Sequence, residues 1–541
     1  MSMSTAMLTH PTIGAVEGTT AKPGVTQYLG LQYATLKDRL APSVLIFYND
    51  DHGTIDATKV GPQIIDIPNG PQAEQGLIQH TLPDDTSGLT ASDTEGLNLN
   101  ITVPEGISHD AKLPVLVFIH GGGFMVGSAT WPQYDFAKFV RLSAEKDLPI
   151  VAVNFSYRLG PAGLLTSKEL REAGYKPNNS IRDQRTALVW VQKHIAGFGG
   201  DAENVTLAGE SAGGVSVAYH LQSEEKLCRR AVLMSGTSLL LPPVPVDFAE
   251  RSYQTAIKTL GLQEKMREER IKVLLTIDAT EMMGKLRTVP MLPVVDDGLP
   301  LSSHSFADFT SGGKVDLRGT DRCRDVMIGD CQFDGNIQGL RIGHRKSGIA
   351  RAFCSHMQRV FSTAAHTDKL LQAYGITPEL DDDTGFIKVL EVANDVGFYT
   401  PTVAYAEGLA GKGGVKTYMY RFNEPNPWPG AWQGQSTHIL DIAFLFQNFN
   451  DYLDPAQKEL AEGFAEDVFR FVHGKEPWQA WESGKRAAKV LGPQGKTEIA
   501  EDVPEKVGRR KVLFEIAEEV VGGMDHLAEA FNSFLRGPPA T

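Results

Sequence analysis

The stretch LAGESAGGVS, residues 207–216, sets Ser211 between Gly209 and Gly213. A serine hydroxyl attacks an acyl carbon only when it is held out of the chain and a base takes its proton. Glycines on both sides let the chain turn tightly enough to hold it so. Spacing alone is weak, because a chain of 541 residues with 54 glycines meets it by chance about once in three such chains. The flanks decide. NVTLAG (204–209) reads as an apolar strand and AGGVSVAYHL as a helix packed under a sheet, and strand, turn, helix is the setting of a nucleophile elbow. That favours a catalytic serine over a plain glycine-rich bend.

Acyl transfer also needs donors for the oxyanion, supplied from an earlier loop beside the elbow. HGGGF, His120 to Phe124, ends the strand-like run PVLVFI. Its bare backbone lets the amides of Gly122 and Gly123 join that of Ala212. For this architecture the base is a histidine after the serine, with a carboxylate between them in chain order. Eight histidines follow Ser211. His438 lies in the loop after the strand-like VKTYMYRF (415–422), and Asp334 lies in GDCQFDGN, just beyond the strand-like DVMIGD (325–330). His220, His344, His356, His366 and His473 fall within helical patterns, and His304 and His526 follow no strand end. The expected chemistry is ester cleavage through an acyl-enzyme on Ser211, with His438 as base and Asp334 orienting the imidazole.

Those groups need a frame. Apolar runs of strand length recur at 115–120, 149–155, 204–209, 230–236, 325–330 and 415–422, separated by helical patterns. This predicts a parallel sheet covered on both faces. Helices are expected over Asp183–Ile195, over Pro455–Val472 and around Val512–Leu535 with a break near Gly522 and Gly523. Two long segments, 237–324 and 337–414, interrupt the alternation and are expected to sit above the carboxyl ends of the strands. No repeat or linker divides the chain, so residues 1–541 are read as one elaborated α/β domain.

Composition narrows the partners. The chain has 66 acidic against 52 basic residues, a formal charge of -14, and no Lys/Arg-rich block. That argues against nucleic acid or an anionic membrane and for a neutral small molecule. No apolar run is long enough to span a bilayer, and the N-terminus lacks the basic and apolar regions of a secretory signal. An intracellular, cytoplasmic protein is expected. Cys228, Cys323, Cys331 and Cys354 fit neither a disulfide framework nor zinc spacing and read as reduced thiols; no metal or other cofactor is expected. The sequons at Asn100, Asn154, Asn178 and Asn204 read as chance matches.

HGGGFMVGS, VNFSYRLGPAG, DQRTALVWVQKHIAGFGGDAENVTLAGESAGGVS and GDCQFDGN together resemble the type B carboxylesterase and cholinesterase-like family of the α/β-hydrolase fold. The likeness runs from YLGLQYATLKDRLAPS (28–43) to RRKVLFEI (509–516). It implies Ser211 as nucleophile, Asp334 as acid, His438 as base, and Gly122, Gly123 and Ala212 as oxyanion donors. The family usually has glutamate as its acid, so neighbouring Asp330 stands as the alternative to Asp334. It tends to have glycine after the histidine and glutamate three on, where this chain has Ile439 and Asp441. Its early disulfide is missing at both ends, in TEGLNLN (94–100) and VGPQIIDIP (60–68), which fits a reducing compartment.

Cholinesterases carry a tryptophan between those cysteine positions, whereas residues 69–93 here contain no aromatic side chain. Choline esters are therefore not expected. For Trp428 and Trp432, gorge lining and loop anchoring both stay open. For Glu210, tuning of the local field and a hydrogen-bonded structural role stay open. The implied activity is hydrolysis of a small to medium organic ester or lactone. The alternatives are a lipase for longer acyl chains and a non-catalytic binding protein of the same fold.

Overall fold

The computed structural model describes residues 5–48, 53–67, 69–83, 89–296, 299, 302–310, 315–361, 363–482, 484–502 and 508–537. Among these, one thirteen-stranded sheet organises the chain. From Val151–Phe155 the order runs through Leu113–Ile119, Gly200–Glu210, Arg230–Met234, Asp325–Cys331 and Lys416–Phe422 to Ala487–Leu491, every neighbour parallel. All six runs expected from the sequence are strands. Antiparallel strands flank them, Thr5–His10, Gly14–Thr19, Val25–Gln32 and Asn98–Pro104 on one margin and Thr497–Glu501 on the other.

The parallel strands are mainly apolar and buried because both of their faces are covered. In Leu113–Ile119 the side chains of Val115, Val117 and Ile119 enter one core layer, and Leu116 and Phe118 enter the other. The margin strands Thr5–His10 and Thr497–Glu501 are mostly exposed and more polar, which suits edges open to water.

The helix Asn179–His194 begins four residues before the expected Asp183. Its start is set by tertiary contact: Asn178, at φ 61°, donates its side-chain amide to the carbonyls of Val294 (2.9 Å) and Leu299 (2.7 Å). Pro455–Val472 has the expected bounds, with the Asp454 carboxylate accepting from the Gln457 amide. The C-terminal stretch forms Gly508–Glu519 and Gly523–Arg536, separated at Gly522 with φ 90°.

The first interruption holds helices Val246–Thr259, Arg267–Thr276, Ala279–Leu286 and Phe306–Thr310. The second holds Ile349–Val360, Ala364–Tyr374, Asp382–Asn394, a π-helical turn Asp395–Tyr399, and Thr400–Gly411. Positions 297–298, 300–301, 311–314 and 362 of these segments lie outside the described residues.

Topology places the chemistry. The chain passes from Leu113–Ile119 outward to Val151–Phe155, then returns to Gly200–Glu210 on the other side of its starting strand. The winding direction thus reverses between the strand that ends at His120 and the strand that ends at Ser211. A crevice forms outside the carboxyl ends of strands at such a reversal.

Candidate active site

Ser211 sits between the strand Gly200–Glu210 and the helix Ala212–His220 with φ 54° and ψ -122°. A non-glycine residue reaches that conformation only when its surroundings over-determine it. Two glycines do so here. A Cβ on Gly209 would stand 2.4 Å from the Gly213 carbonyl carbon, and one on Gly213 would stand 2.0 Å from the Ile119 carbonyl oxygen. The elbow therefore closes tightly against the strand that carries the HGGGF loop.

In that loop Gly122 and Gly123 have φ 92° and 62°. A Cβ on Gly122 would meet the Val126 carbonyl oxygen at 2.1 Å. Among the described residues no hydrogen bond uses the amides of Gly122, Gly123 or Ala212. Ala212 is also the first residue of its helix, where the backbone dipole favours negative charge. The loop is pinned from behind. Burial lowers His120 to about 4, so its ring is neutral, and it stacks on Tyr157 at 4.4 Å. The Tyr157 hydroxyl donates to the His120 carbonyl at 2.9 Å.

His438 and Asp334 meet across adjacent strand ends, with Nδ1 2.7 Å from Asp334 Oδ1. Asp334 Oδ2 accepts from the Cys331 amide (2.8 Å) and the Ser235 hydroxyl (3.0 Å). The His438 amide donates to Asn336 Oδ1 at 2.9 Å. Asp330, four residues back on the strand, pairs instead with Arg421. Of the remaining histidines, His220 bonds Gln184, His356 bonds Ser533, and His473 bonds the Pro149 carbonyl. Ser211, His438, Gly122 and Gly123 all line one cavity of about 410 Å³.

This geometry has relatives. The carboxylesterase family pattern matches residues 4–493. The chain belongs to the carboxylesterase family. It is 30% identical over 491 residues to Lipase 3 of Yarrowia lipolytica, covering 86% of this chain and 89% of that one. It is 38% identical over 365 residues to pyrethroid hydrolase Ces2a of Mus musculus, covering 65% and 62%. A Geobacillus stearothermophilus carboxylesterase shares the fold at TM-score 0.71 and 24% identity, over 94% of this chain and 99% of that one. The protein is a carboxylic ester hydrolase. No helix among the described residues is long and apolar enough to cross a membrane.

Electrostatics in this carboxylesterase centre on Glu210. Its Oε1 lies 3.2 Å from His438 Nε2 and has no hydrogen-bond partner. Burial pushes the His438 ring down, but the charges of Glu210 and Asp334 outweigh it and hold the imidazole up at about 9. Burial in turn drives the Glu210 carboxyl well above its usual range, against the pull of His438. At that separation the two groups titrate as a coupled pair. Of the two readings of Glu210, field tuning fits; a hydrogen-bonded structural carboxylate does not.

Trp428 and Trp432 do not line the cavity. Trp428 packs on Phe449 and His80, and Gln79 ties both tryptophans through their backbones. They anchor the loop that leads to His438. The family's glycine position after the histidine is filled by Ile439, which holds φ 68°. Asp441 accepts from the Tyr420 hydroxyl at 2.7 Å.

Sequence reasoning missed the wall. Phe398, on the π-helical turn, stands 5.2 Å from the His438 ring. Leu240 and Leu241 come from the first interruption, Ile337 to Arg341 from the second, and Glu74 from the helix Gly70–Ile78. No periodicity marks these residues, since they come from several short segments far apart in the chain. Residues 337–341 carried one usable signal, their position directly after Asp334.

Proposed function

We propose that this enzyme cleaves small to medium organic esters or lactones through an acyl-enzyme on Ser211. His438 takes the hydroxyl proton as Ser211 attacks the carbonyl carbon. Asp334 holds Nδ1 and favours the imidazolium that forms. The oxyanion is received by the amides of Gly122, Gly123 and Ala212, which are preorganised and unclaimed. His438 returns the proton to the leaving alcohol, and water then releases the acid by the same steps reversed. The carrying observation is the 2.7 Å contact of His438 with Asp334 in the cavity that also holds the strained Ser211.

Nε2, 3.2 Å from Glu210 Oε1, must leave Glu210 to reach Ser211. Absence of the family's early cysteine pair, with Cys228, Cys323, Cys331 and Cys354 all free thiols, supports residence in a reducing compartment. The 541 residues act as one elaborated α/β unit.

The test is reaction with a fluorophosphonate, read by intact mass, beside hydrolysis of 4-nitrophenyl acetate. Wild type is expected to take one adduct and turn over, and Ser211→Ala to do neither. An unlabelled, inactive wild type would remove the hydrolytic reading of this site and leave a binding role. An acyl-length series separates esterase from lipase: a sharp rate rise above the substrate's solubility limit would favour the lipase.

A further inference from the structure

The cavity wall is largely apolar, with Glu74 and Glu210 inside and Gln338 and Arg341 among the residues contributed by the second interruption. Arg341 lies on the helical turn Gly339–Ile342, which continues the 3-10 turn Asp334–Gln338. Seven residues of helical rise set it on the order of 10 Å from Asp334 along that axis. Its guanidinium has no carboxylate partner among the described residues; Nη1 reaches Gln338 Oε1 at 3.4 Å.

The neighbouring charges have its own sign. Partial burial, then Arg536 and Arg345, all work against the Arg341 charge. Arg536 is held by Glu529. Arg345 donates to the Phe534 carbonyl at 2.9 Å and lies over the Phe534 ring. Of these three arginines only Arg536 has a carboxylate partner among the described residues, in a chain whose net charge is -14. Inside the cavity, burial raises the carboxyl of Glu74 above its usual range, and Glu210 faces the His438 ring at 3.2 Å. Arg341 is thus a cationic lining residue of the cavity with no carboxylate partner among the described residues.

We propose that the enzyme prefers esters whose end remote from the scissile carbonyl carries a carboxylate, with Arg341 as the residue that selects it. This rests on the reading of Ser211 as the nucleophile. The planar guanidinium offers a carboxylate two parallel donors. The separation from Asp334 asks for a spacer of several carbons. Because the anion binds far from the reacting carbon, it stabilises ground and transition states alike, so its effect falls on KM and not on kcat.

The probes are 4-nitrophenyl monoesters of glutaric, adipic and suberic acids, each against its neutral primary-amide counterpart. On the alcohol side the pair is the acetyl ester of 6-hydroxyhexanoate and of its amide. Wild type is expected to favour a charged member about three- to tenfold in kcat/KM, through KM, with the preference shrinking at high salt. R341Q should erase the preference, and R341K should retain part of it. Preference on either side of the ester supports the proposal and shows which half faces the rim. Equal use of charged and neutral members, or a preference that survives R341Q, overturns it. Calorimetric binding of the adipic monoester and its amide to Ser211→Ala, with and without R341Q, reads the same selectivity without turnover. Failure of that binding difference is thereby distinct from failure of the Ser211 chemistry.

Discussion

The two sides of the cavity are built by different means. Around Ser211 the groups are backbone-borne and jammed: the glycines at 122, 209 and 213 each stand where a Cβ would fall within 2.4 Å of backbone atoms. The opposite wall is made of side chains from separate helical segments, and Leu340 there is 70% exposed. A backbone held by sheet topology keeps developing charge in place, as oxyanion stabilisation requires. A wall of loosely joined side chains can change without disturbing that geometry. Reaction and selectivity are thus separated in space, and each can be broken alone.

The largest break is expected at Asp334. Asp334→Asn should cost about 10⁴-fold in kcat on 4-nitrophenyl acetate, whereas Asp330→Asn, which strips Arg421 of a buried partner, should lower the urea midpoint and leave kcat within a few-fold. The reverse pattern would exchange their roles. Gly122→Ala comes next. Its Cβ forces the loop away from the Val126 carbonyl at a φ of 92°, so the loss of an oxyanion donor should reduce kcat by about 10² to 10³ and Tm should fall with it.

Glu210 ties the two sides together through pH. As the proposed base, His438 must be neutral, and with its ring held up at about 9 the kcat/KM profile should rise with pH above neutrality. Glu210→Gln removes the leading influence that raises the ring, so the rising limb should move to lower pH by about one unit or more. A limb that stays in place would leave Asp334 as the controlling charge. The smallest effect is assigned to the wall: Phe398→Ala and Leu240→Ala should shift KM for a hexanoate ester a few-fold and leave acetate turnover intact. Equal losses on both substrates would mean that the wall also positions His438.

What could be read from the chain follows from its local physics. The parallel strands were legible because burial on both faces demands unbroken apolar runs, as in PVLVFI. The elbow was legible because only glycines admit the backbone that Ser211 needs. Asn179–His194 was placed four residues short because its start depends on Asn178 bonding to carbonyls more than a hundred positions away. The π-helical turn that presents Phe398 leaves no local pattern, since the Asp395 carboxylate within it is held by Arg509 and Arg510 from the C-terminal helix.

By itself the sequence determined the sheet, the elbow and the chain order of serine, carboxylate and histidine, because these rest on short-range steric and apolar patterning. Tertiary structure decided between the expected Asp334 and the alternative Asp330, bringing Asp334 to His438. It also decided that Glu210 stands 3.2 Å from Nε2 of that histidine, and that Arg341 meets no carboxylate among the described residues at the cavity wall. Each of these depends on which way a side chain leaves its element and on the charges and dielectric it meets there, and neither is written in the residue's neighbours along the chain.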